Sequence, residues 1–397
     1  MSGIDDQALI RFAQALVQVP SVNLLSHGLG EGPVAALVAA QMRSFGWSPR
    51  VEEAAPERPN VIALVEGGLP GPTLMFEGHT DVVTEGDSSS WSYDPFGGEI
   101  VDGRLYGRGA ADMKGGLAAM LFAAAALAAQ GPFPGRLLLA ALADEEGMML
   151  GVKDFVARGH AAGVAGAIVC EPEGGEVCVA QKGAIRLWAE ARGRMAHGAM
   201  PRRGVNPIPP LAELVIACGK VEAELQAEAG EHPLLGPPYI TPTVIVGGDP
   251  EQLNVIPGRA GLGIDVRTTP AVDHRRLVER LERACGAGIS LRVLEDRPST
   301  ETPSGHPLVR AVVEAHRRVH GSTPPLGGVP GATDGTILWR EAGLPIVTYG
   351  PGDKWIAHQV DEHVEVRELV KAAEVYLEAA RLFLSVGTES SSARVYG

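Results

Sequence analysis

Five side chains of types that bind metal ions stand along this chain where predicted strands end. They are His79 in EGHTD, Asp112 in GRGAADMKGG, Glu146 in DEEG, Glu171 in CEP and His358 in WIAHQVDE. In α/β proteins the binding site is assembled at strand ends, so residues far apart in sequence can meet there. A hydrolase with two metal ions would need imidazole and carboxylate ligands of these types, in this order along the chain.

His79, Asp81 and Asp112 each have a structural alternative. His79 and Asp81 are two residues apart at a strand end, so both can face the same side, and Asp81 could accept the second imidazole proton. An ordinary surface or hydrogen-bonded histidine fits the same HxD pattern. Asp112 follows a Gly-rich turn and precedes an apolar helix, where it is either a helix N-cap or a carboxylate that bridges two cations. Taken singly, these residues leave both alternatives open.

Glu145 and Glu146 follow the apolar run LLLAALAD. Carboxylates at the end of a buried strand are costly unless a cation or a catalytic task compensates. One of the pair could bind metal while the other takes a proton from water. Solvated glutamates in a loop are the alternative. Glu171, after AIVC, and His358, beyond IVTYG, repeat this strand-end placement.

The elements that must position these residues alternate between strands and helices. VIALVEG, TLMFEGH, RLLLAALADEE and AIVCE are predicted strands, with helices between them. This alternation predicts an α/β fold with a mostly parallel, helix-covered sheet. The apolar run that begins at Gly115 is 16 residues long, which is shorter than the roughly 20 residues of a membrane span. We interpret it as a buried helix.

Residues 176–289 follow a different pattern. Two strands, a helix, two strands and a helix are predicted in that order, which is typical of a small α+β, ferredoxin-like sandwich with antiparallel pairing. The strand and helix alternation resumes afterwards. We therefore predict that residues 1–175 and 290–397 form one metal-binding domain, whose sheet is mixed and mostly parallel, and that residues 176–289 are inserted into it.

Composition limits the partners. The chain has 397 residues, of which 34 are basic and 48 acidic, so its net charge is −14. This charge argues against a nucleic acid partner and favours a small molecule or a cation. The four cysteines form no CxxC pair, and the acidic start MSGIDDQALIRF has no signal-peptide core. We expect a cytoplasmic protein without a membrane partner.

Several longer motifs, taken together and in order, resemble those of the M20 family of metallopeptidases. They are GHTDVV, GRGAADMKGG, DEEG, CEP, NVIPGRA and GPGDKWIAHQVDEHV. The resemblance extends over nearly the whole chain and is strongest to the branch of acetylornithine deacetylases, succinyl-diaminopimelate desuccinylases and glutamate carboxypeptidases. It implies that the inserted domain is a lid and dimerisation domain and that the protein is a homodimer.

The resemblance also implies a ligand set. Asp112 would bridge two zinc ions, with Co²⁺ or Mn²⁺ as alternatives. His79 and Glu171 would complete one metal site, and Glu146 and His358 would complete the other.

The remaining catalytic roles follow from the same resemblance. Glu145 would be the general base and acid, and Asp81 would orient His79. His197 in GRMAHGAMP would donate a hydrogen bond to the oxyanion, from the partner subunit in dimeric members; an ordinary strand-end histidine is its alternative. The peptide bond after Asp112 would be cis.

Substrate-binding residues are carried over from the small domain and from one loop. Asn254 and Arg267 match positions that help to hold a substrate carboxylate, although Arg267 would equally fit a structural salt bridge. Gly331 and Thr333 lie in GATDG, which resembles the desuccinylase GGTSDG but departs from it at two positions, so a succinyl-diaminopimelate substrate is in doubt. Glu171 stands where aminopeptidase relatives usually have Asp, which favours deacylases and carboxypeptidases.

The function predicted from the sequence is therefore a two-zinc amidohydrolase. It would cleave the amide bond of N-acyl amino acids or peptides, with Glu145 as the base. A carboxypeptidase or dipeptidase of the same family is the alternative. A noncatalytic binding homologue would be expected to have lost a ligand or the base, and this sequence keeps all of them.

Overall fold

The computed structural model of the protein describes residues 3–23 and 30–392. Its helices are α1 (Asp6–Val17), α2 (Gly32–Ser44), α3 (Gly115–Ala129), α4 (Leu150–Ala157), α5 (Ile208–Ala229), α6 (His274–Ala284), α7 (Pro307–His320), α8 (Gly335–Ala342) and α9 (Val366–Ser392). Its strands are β1 (Arg50–Ala55), β2 (Arg58–Glu66), β3 (Gly68–His79), β4 (Ile100–Val101), β5 (Arg104–Tyr106), β6 (Phe133–Leu142), β7 (Val164–Val169), β8 (Val177–Gln181), β9 (Gly183–Arg192), β10 (Ala196–His197), β11 (Tyr239–Gly247), β12 (Val255–Ile256), β13 (Arg259–Thr268), β14 (Ile289–Arg297), β15 (Thr300–Glu301), β16 (Leu326–Val329), β17 (Ile346–Thr348) and β18 (His363–Glu365).

The chain forms two compact units. The first contains residues 1–179, 302–327 and 333–397, and the second contains residues 180–301 and 328–332. The predicted insertion, residues 176–289, ends earlier than the second unit does. The difference arises because β14, which the sequence pattern did not predict, pairs with β9 along the edge of the second unit's sheet.

A mixed sheet forms the centre of the first unit, in the strand order β1-β2-β6-β3-β7-β17-β8. The four strands from β6 to β17 run parallel to one another, whereas β1, β2 and β8 pair antiparallel with their neighbours. The predicted fold class, a helix-covered and mostly parallel α/β sheet, is therefore confirmed. Parallel strands end at the same edge of a sheet, so their following loops lie side by side.

Helix α3 is a core helix of the first unit. The stretch Ala110–Ala129 is long and apolar enough to span a membrane by composition alone, but 89% of its most apolar 18-residue window is buried inside the protein. Its small residues let it approach the sheet closely: a Cβ atom on Gly116 would lie 2.0 Å from the carbonyl oxygen of Cys170. The expectation of a buried helix is confirmed.

The second unit has a four-stranded antiparallel sheet in the order β11-β13-β9-β14. Its chain order is β9-α5-β11-β13-α6-β14, the βαββαβ arrangement of ferredoxin-like domains. The predicted ββαββα order was wrong by one strand, because β8 pairs with β17 and not with β9. Leu211, Leu214 and Leu277 of the two helices pack on Ile185 and Leu262 of the sheet.

Candidate metal centre

Four neighbouring strand ends position most of the candidate ligands. His79 is the last residue of β3 and pairs with Leu142, the last residue of β6, after which Glu145 and Glu146 follow. Strands β7 and β17 end at paired residues, Val169 and Thr348. Glu171 and His358 lie in the loops that follow these two strands.

Three of the candidate ligands form a first group around Asp112. The Nε2 atom of His79 lies 3.0 Å from Oδ1 of Asp112 and 3.5 Å from Oε1 of Glu171. The turn Ala110–Lys114, just before α3, presents Asp112 to this group, and the peptide bond between Asp112 and Met113 is cis, as expected. No side chain caps the N-terminus of α3, so the N-cap alternative for Asp112 was wrong.

A second group uses the other oxygen of Asp112. The Nε2 atom of His358 lies 3.3 Å from Oδ2 of Asp112 and 2.8 Å from Oε1 of Glu146. The two groups together contain the five candidate ligands, with Asp112 common to both. This is the pairing that the resemblance implied.

Asp81 is held differently from the simplest expectation. The Nδ1 atom of His79 lies 2.9 Å from the backbone carbonyl oxygen of Asp81 and 3.5 Å from its carboxylate. The carboxylate instead accepts hydrogen bonds from the backbone N–H groups of Glu145, at 3.1 Å, and Glu146, at 3.0 Å. Asp81 therefore both orients the imidazole and holds the loop that carries the two glutamates.

Glu145 is buried next to the first group. A carboxylate oxygen of Glu145 and one of Glu171 lie within 4.8 Å of each other and of a ring nitrogen of His79. Burial raises the pKa of Glu145 well above its usual range; the His79 imidazole opposes this effect and the Glu146 carboxylate adds to it. A buried carboxylate beside the ligands has the position that a proton-transferring base requires.

The donor set fits two divalent cations. Burial raises the pKa of Glu171, and the nearby Asp112 carboxylate raises it further. Burial and the Asp112 carboxylate also raise the pKa of Glu146. Buried carboxylates this close repel one another unless positive charge lies between them. Three carboxylates and two imidazoles, one carboxylate being shared, are oxygen and nitrogen donors that zinc, cobalt or manganese accepts.

Sequence patterns did not identify Glu362, which holds the Asp112 turn. Its Oε1 atom accepts backbone N–H groups from Gly109, Ala111 and Asp112, each at 3.0 Å. Its Oε2 atom lies 2.5 Å from the Nη1 atom of Arg108. A signal was available, since Glu362 stands in QVDEHV, four residues after His358.

A second buried network, also not predicted, supports the loop of Glu145 and Glu146. Arg58 forms ion pairs with Glu31 at 2.6 Å and with Asp144 at 2.8 Å. Asn23 donates to Asp81 at 2.5 Å and to Asp144 at 3.0 Å. The backbone of Asp144 is left-handed, with φ of 67°, so these partners hold the loop in a conformation that is unfavourable for most residues.

Lys354 joins the two remaining ligand loops. Its Nζ atom lies 3.2 Å from Glu173 and 2.7 Å from Glu176, which follow Glu171 in the chain. Lys354 itself precedes His358 in the next loop. The ion pairs therefore link the segments that carry one ligand of each group.

Two of the predicted site residues in the second unit, His197 and Asn254, lie close to each other. His197 and Asn254 are brought together, because β10 pairs with β12 and the backbone N–H of Gly198 donates to the carbonyl oxygen of Asn254 at 2.6 Å. The His197 side chain is exposed, and its Nδ1 atom accepts the N–H of Ala199 at 3.0 Å.

Arg267 is paired within its own strand, since its Nε atom donates to Asp265 at 2.6 Å. This contact corresponds to the structural alternative, and a substrate role for Arg267 stays a prediction. Gly331 belongs to the second unit and is partly exposed. Thr333 belongs to the first unit, where its hydroxyl accepts the N–H of Gly335 at 3.1 Å at the start of α8.

A family comparison agrees with this fold. The model of Peptidase family M20/M25/M40 matches residues 75–382. The chain therefore belongs to this family, and it is a hydrolase that acts on amide bonds.

Individual relatives span nearly the whole chain. A succinyl-diaminopimelate desuccinylase of Rhodospirillum centenum is 33% identical over 92% of this chain and 95% of its own length. An N-formyl-4-amino-5-aminomethyl-2-methylpyrimidine deformylase of Bacillus subtilis is 30% identical over 94% of this chain and 93% of its own length. The M20 family metallo-carboxypeptidase Sso-CP2 of Sulfolobus solfataricus has the same fold, with a TM-score of 0.79 and 19% identity over 96% of this chain and 99% of that chain.

Proposed function

We propose that this protein is a two-metal amidohydrolase that removes the acyl group from N-acyl amino acids. The observation that carries the proposal is the position of Asp112, whose two carboxylate oxygens each face a separate imidazole and carboxylate pair. Glu145 lies beside this arrangement, buried and close to His79 and Glu171.

Two divalent metal ions would supply Lewis acidity toward the substrate carbonyl and lower the pKa of a water molecule. His79 and Glu171 would hold one ion, His358 and Glu146 the other, and Asp112 both. Glu145 takes the proton of the attacking water and then transfers it to the nitrogen of the leaving amine. The carboxylate of Asp81 keeps Glu145 in place through the backbone N–H at 3.1 Å.

Relatives support a deacylase but leave the acyl group undecided. One removes succinyl and another formyl groups, according to their names, at similar identity to this chain. Glu171, in the place where aminopeptidase relatives usually have Asp, is consistent with either. A carboxypeptidase or dipeptidase of the same family is the second candidate, because it would use the same metal ligands and base.

Further parts of the proposal concern the setting of the site. We infer zinc as the native metal, a homodimer formed through the second unit, and a cytoplasmic location. In this arrangement His197 of the partner subunit donates a hydrogen bond to the oxyanion, and Asn254 and Arg267 hold the substrate carboxylate. Gly331 and Thr333 would line the same substrate site.

A substrate panel tests the proposal. The chelated protein is assayed with and without added Zn²⁺ for amine release from N-acetyl, N-succinyl and N-formyl amino acids, with unblocked dipeptides alongside. Zinc-restored hydrolysis of blocked amino acids supports a deacylase and identifies its acyl group. Activity confined to free dipeptides would instead establish the dipeptidase alternative.

Two variants test separately whether Glu145 is the general base and whether Asp112 is the ligand shared by both metal ions. Glu145→Gln should lose nearly all turnover and keep two equivalents of bound metal, about as many as the unaltered protein. Asp112→Ala should lose both metal and turnover, because both groups lose a ligand. A fully active Glu145→Gln enzyme would refute the base assignment, and a fully metallated Asp112→Ala protein would refute the bridge.

A further inference from the structure

A second cluster of ligand-type side chains lies in the first unit, around a cavity of about 280 Å³. Helices α7 and α9 and two glycine-containing loops surround the cavity. The side chains on its wall that can bind a ligand are those of His316, His320, Tyr349 and Glu368. None of them belongs to the candidate metal centre.

His316 and His320 are four residues apart on α7, so they lie on the same face of the helix. Their rings are stacked, with centroids 4.1 Å apart and an interplanar angle of 12°. Two imidazole nitrogens that share one tetrahedral zinc ion lie about 3.3 Å apart, given Zn–N bonds of about 2.0–2.1 Å. Because a metal ion lies in the plane of each imidazole that binds it, one of these nearly parallel rings must turn about its Cβ–Cγ bond before both can face one ion.

Each histidine has a nitrogen available to a ligand. The Nδ1 atom of His316 lies 2.9 Å from the hydroxyl of Tyr349. If Nδ1 donates its proton there, the Nε2 atom keeps its lone pair, which is the arrangement that orients metal-binding histidines. The Nε2 atom of His320 is buried and has no hydrogen-bond partner among the described residues. An unsatisfied buried nitrogen of this kind calls for a partner.

The charges around the cavity bear on the sign of the ligand. Burial, with smaller contributions from His320 and Lys371, lowers the pKa of His316 to about 4. Burial and Lys371 lower the pKa of His320 as well. Both imidazoles are therefore neutral at pH 7, as metal binding requires. Glu368 contributes a carboxylate to the cavity wall, whereas the Lys371 ammonium opposes a cation.

We propose that His316 and His320 bind one divalent transition-metal ion, such as Zn²⁺, Ni²⁺ or Cu²⁺, in this cavity. Glu368, on α9, contributes negative charge to the cavity wall, and water completes the coordination of the ion. Neutral imidazoles at a spacing of four on a helix are ligands for these metals. This site is additional to the candidate metal centre and does not depend on the proposed function.

The position of the cavity suggests what the ion does. Gly174 and Gly175 of its wall follow Glu171, and Gly350 and Gly352 precede His358. The N–H of Gly174 donates to the carbonyl oxygen of Gly352 at 2.8 Å, so the two loops are already joined. An ion bound between α7 and α9 braces the cavity wall behind both ligand loops.

Equilibrium dialysis against free Ni²⁺ at pH 7.5 tests the site. The unaltered protein should bind about one equivalent more than His316→Gln or His320→Gln does. Its Cu²⁺ form should show an additional signal, with imidazole nitrogen couplings, in electron paramagnetic resonance, and this signal should be absent from both variants. His160→Gln is the matched control, since His160 pairs with Glu52 and does not line the cavity. Equal metal content and equal spectra in all four proteins would overturn the proposal.

Lys371→Ala provides an independent arm that keeps both histidines. Removing a like charge should lower the Ni²⁺ dissociation constant of this site about threefold or more. If the variant binds Ni²⁺ more weakly than the unaltered protein does, a cation site is refuted. Circular dichroism of each variant checks that the fold is retained.

Discussion

Glu362→Gln tests how the protein holds the turn that carries Asp112. The Glu362 carboxylate accepts three backbone N–H groups of that turn at 3.0 Å and pairs with Arg108, and both side chains of the pair are at most 3% exposed. Glutamine keeps the size but not the charge. Breaking a buried ion pair on one side costs about 3–5 kcal/mol of unfolding free energy. Loss of a residue that orients metal ligands typically weakens metal affinity by about 10–100-fold.

The assay combines chemical denaturation with competition for Zn²⁺ by a chelator. Glu365→Gln is the matched control, because Glu365 lies three residues further along the chain, at the end of β18, and pairs with Arg104 at 2.9 Å, but the Glu365 and Arg104 side chains are 27% and 45% exposed. An exposed pair of this kind contributes about 0–1 kcal/mol, so this variant should resemble the unaltered protein. If the two variants have equal stability and equal zinc affinity, Glu362 does not hold the turn and the reasoning is refuted.

Three further predictions concern packing, protonation and assembly. Gly116→Ala should destabilise the fold by about 1–3 kcal/mol or more, because the added Cβ would lie 2.0 Å from a backbone carbonyl oxygen. Gly219→Ala in α5 is the control: its added Cβ would meet no atom within 4 Å, so this variant should be neutral or stabilising in a thermal melt. Acidification from pH 6.5 towards 4 should lower the melting temperature. The pKa of His316 is lowered from 6.5 to about 4 in the fold, so the unfolded chain binds the proton more readily than the folded protein does. A His316→Gln variant should show a shallower decline of the melting temperature, and an equal decline would contradict the prediction. Mixing inactive His197→Ala and Glu145→Ala subunits should restore about a quarter of the turnover if each site uses His197 of the partner subunit. The reason is that half of the randomly formed dimers contain one subunit of each variant and therefore carry one intact site of two. A mixture as inactive as either variant would contradict a donor supplied by the partner.

Much of the first unit could be predicted because its strands are apolar and end in polar motifs. TLMFEGH, LLLAALAD and AIVCE became β3, β6 and β7 with their following loops, and the residues at their ends meet. Helix α2 was not predicted, although Val34, Val38 and Met42 have helical spacing and are buried. Its first turn has no side-chain cap that would have marked where it begins.

The residues that support the site were harder to predict. Arg58, Glu31 and Asn23 belong to no motif, and their burial depends on tertiary contacts between segments far apart in sequence. Strand β14 has few buried residues, so its pattern gave no strong signal. A pattern read along the chain reports which face of an element is apolar, but it does not report which buried polar groups will find one another.

The five candidate ligands fall into two sets, which differ in what determines their positions. His79 ends one of three adjacent parallel strands, and Glu146 and Glu171 follow the other two. The register of these strands brings the three residues to one edge of the sheet. Asp112 and His358 lie in a turn and a loop that the sheet does not position directly, so other contacts must hold them. Glu362 and Arg108 provide those contacts: Glu362 accepts the N–H of Asp112 at 3.0 Å, and Arg108 donates to the carbonyl oxygen of His358 at 3.3 Å. The shared ligand and the most exposed ligand are thus fixed by one buried ion pair, and for this reason we expect Glu362→Gln to affect both metal positions together.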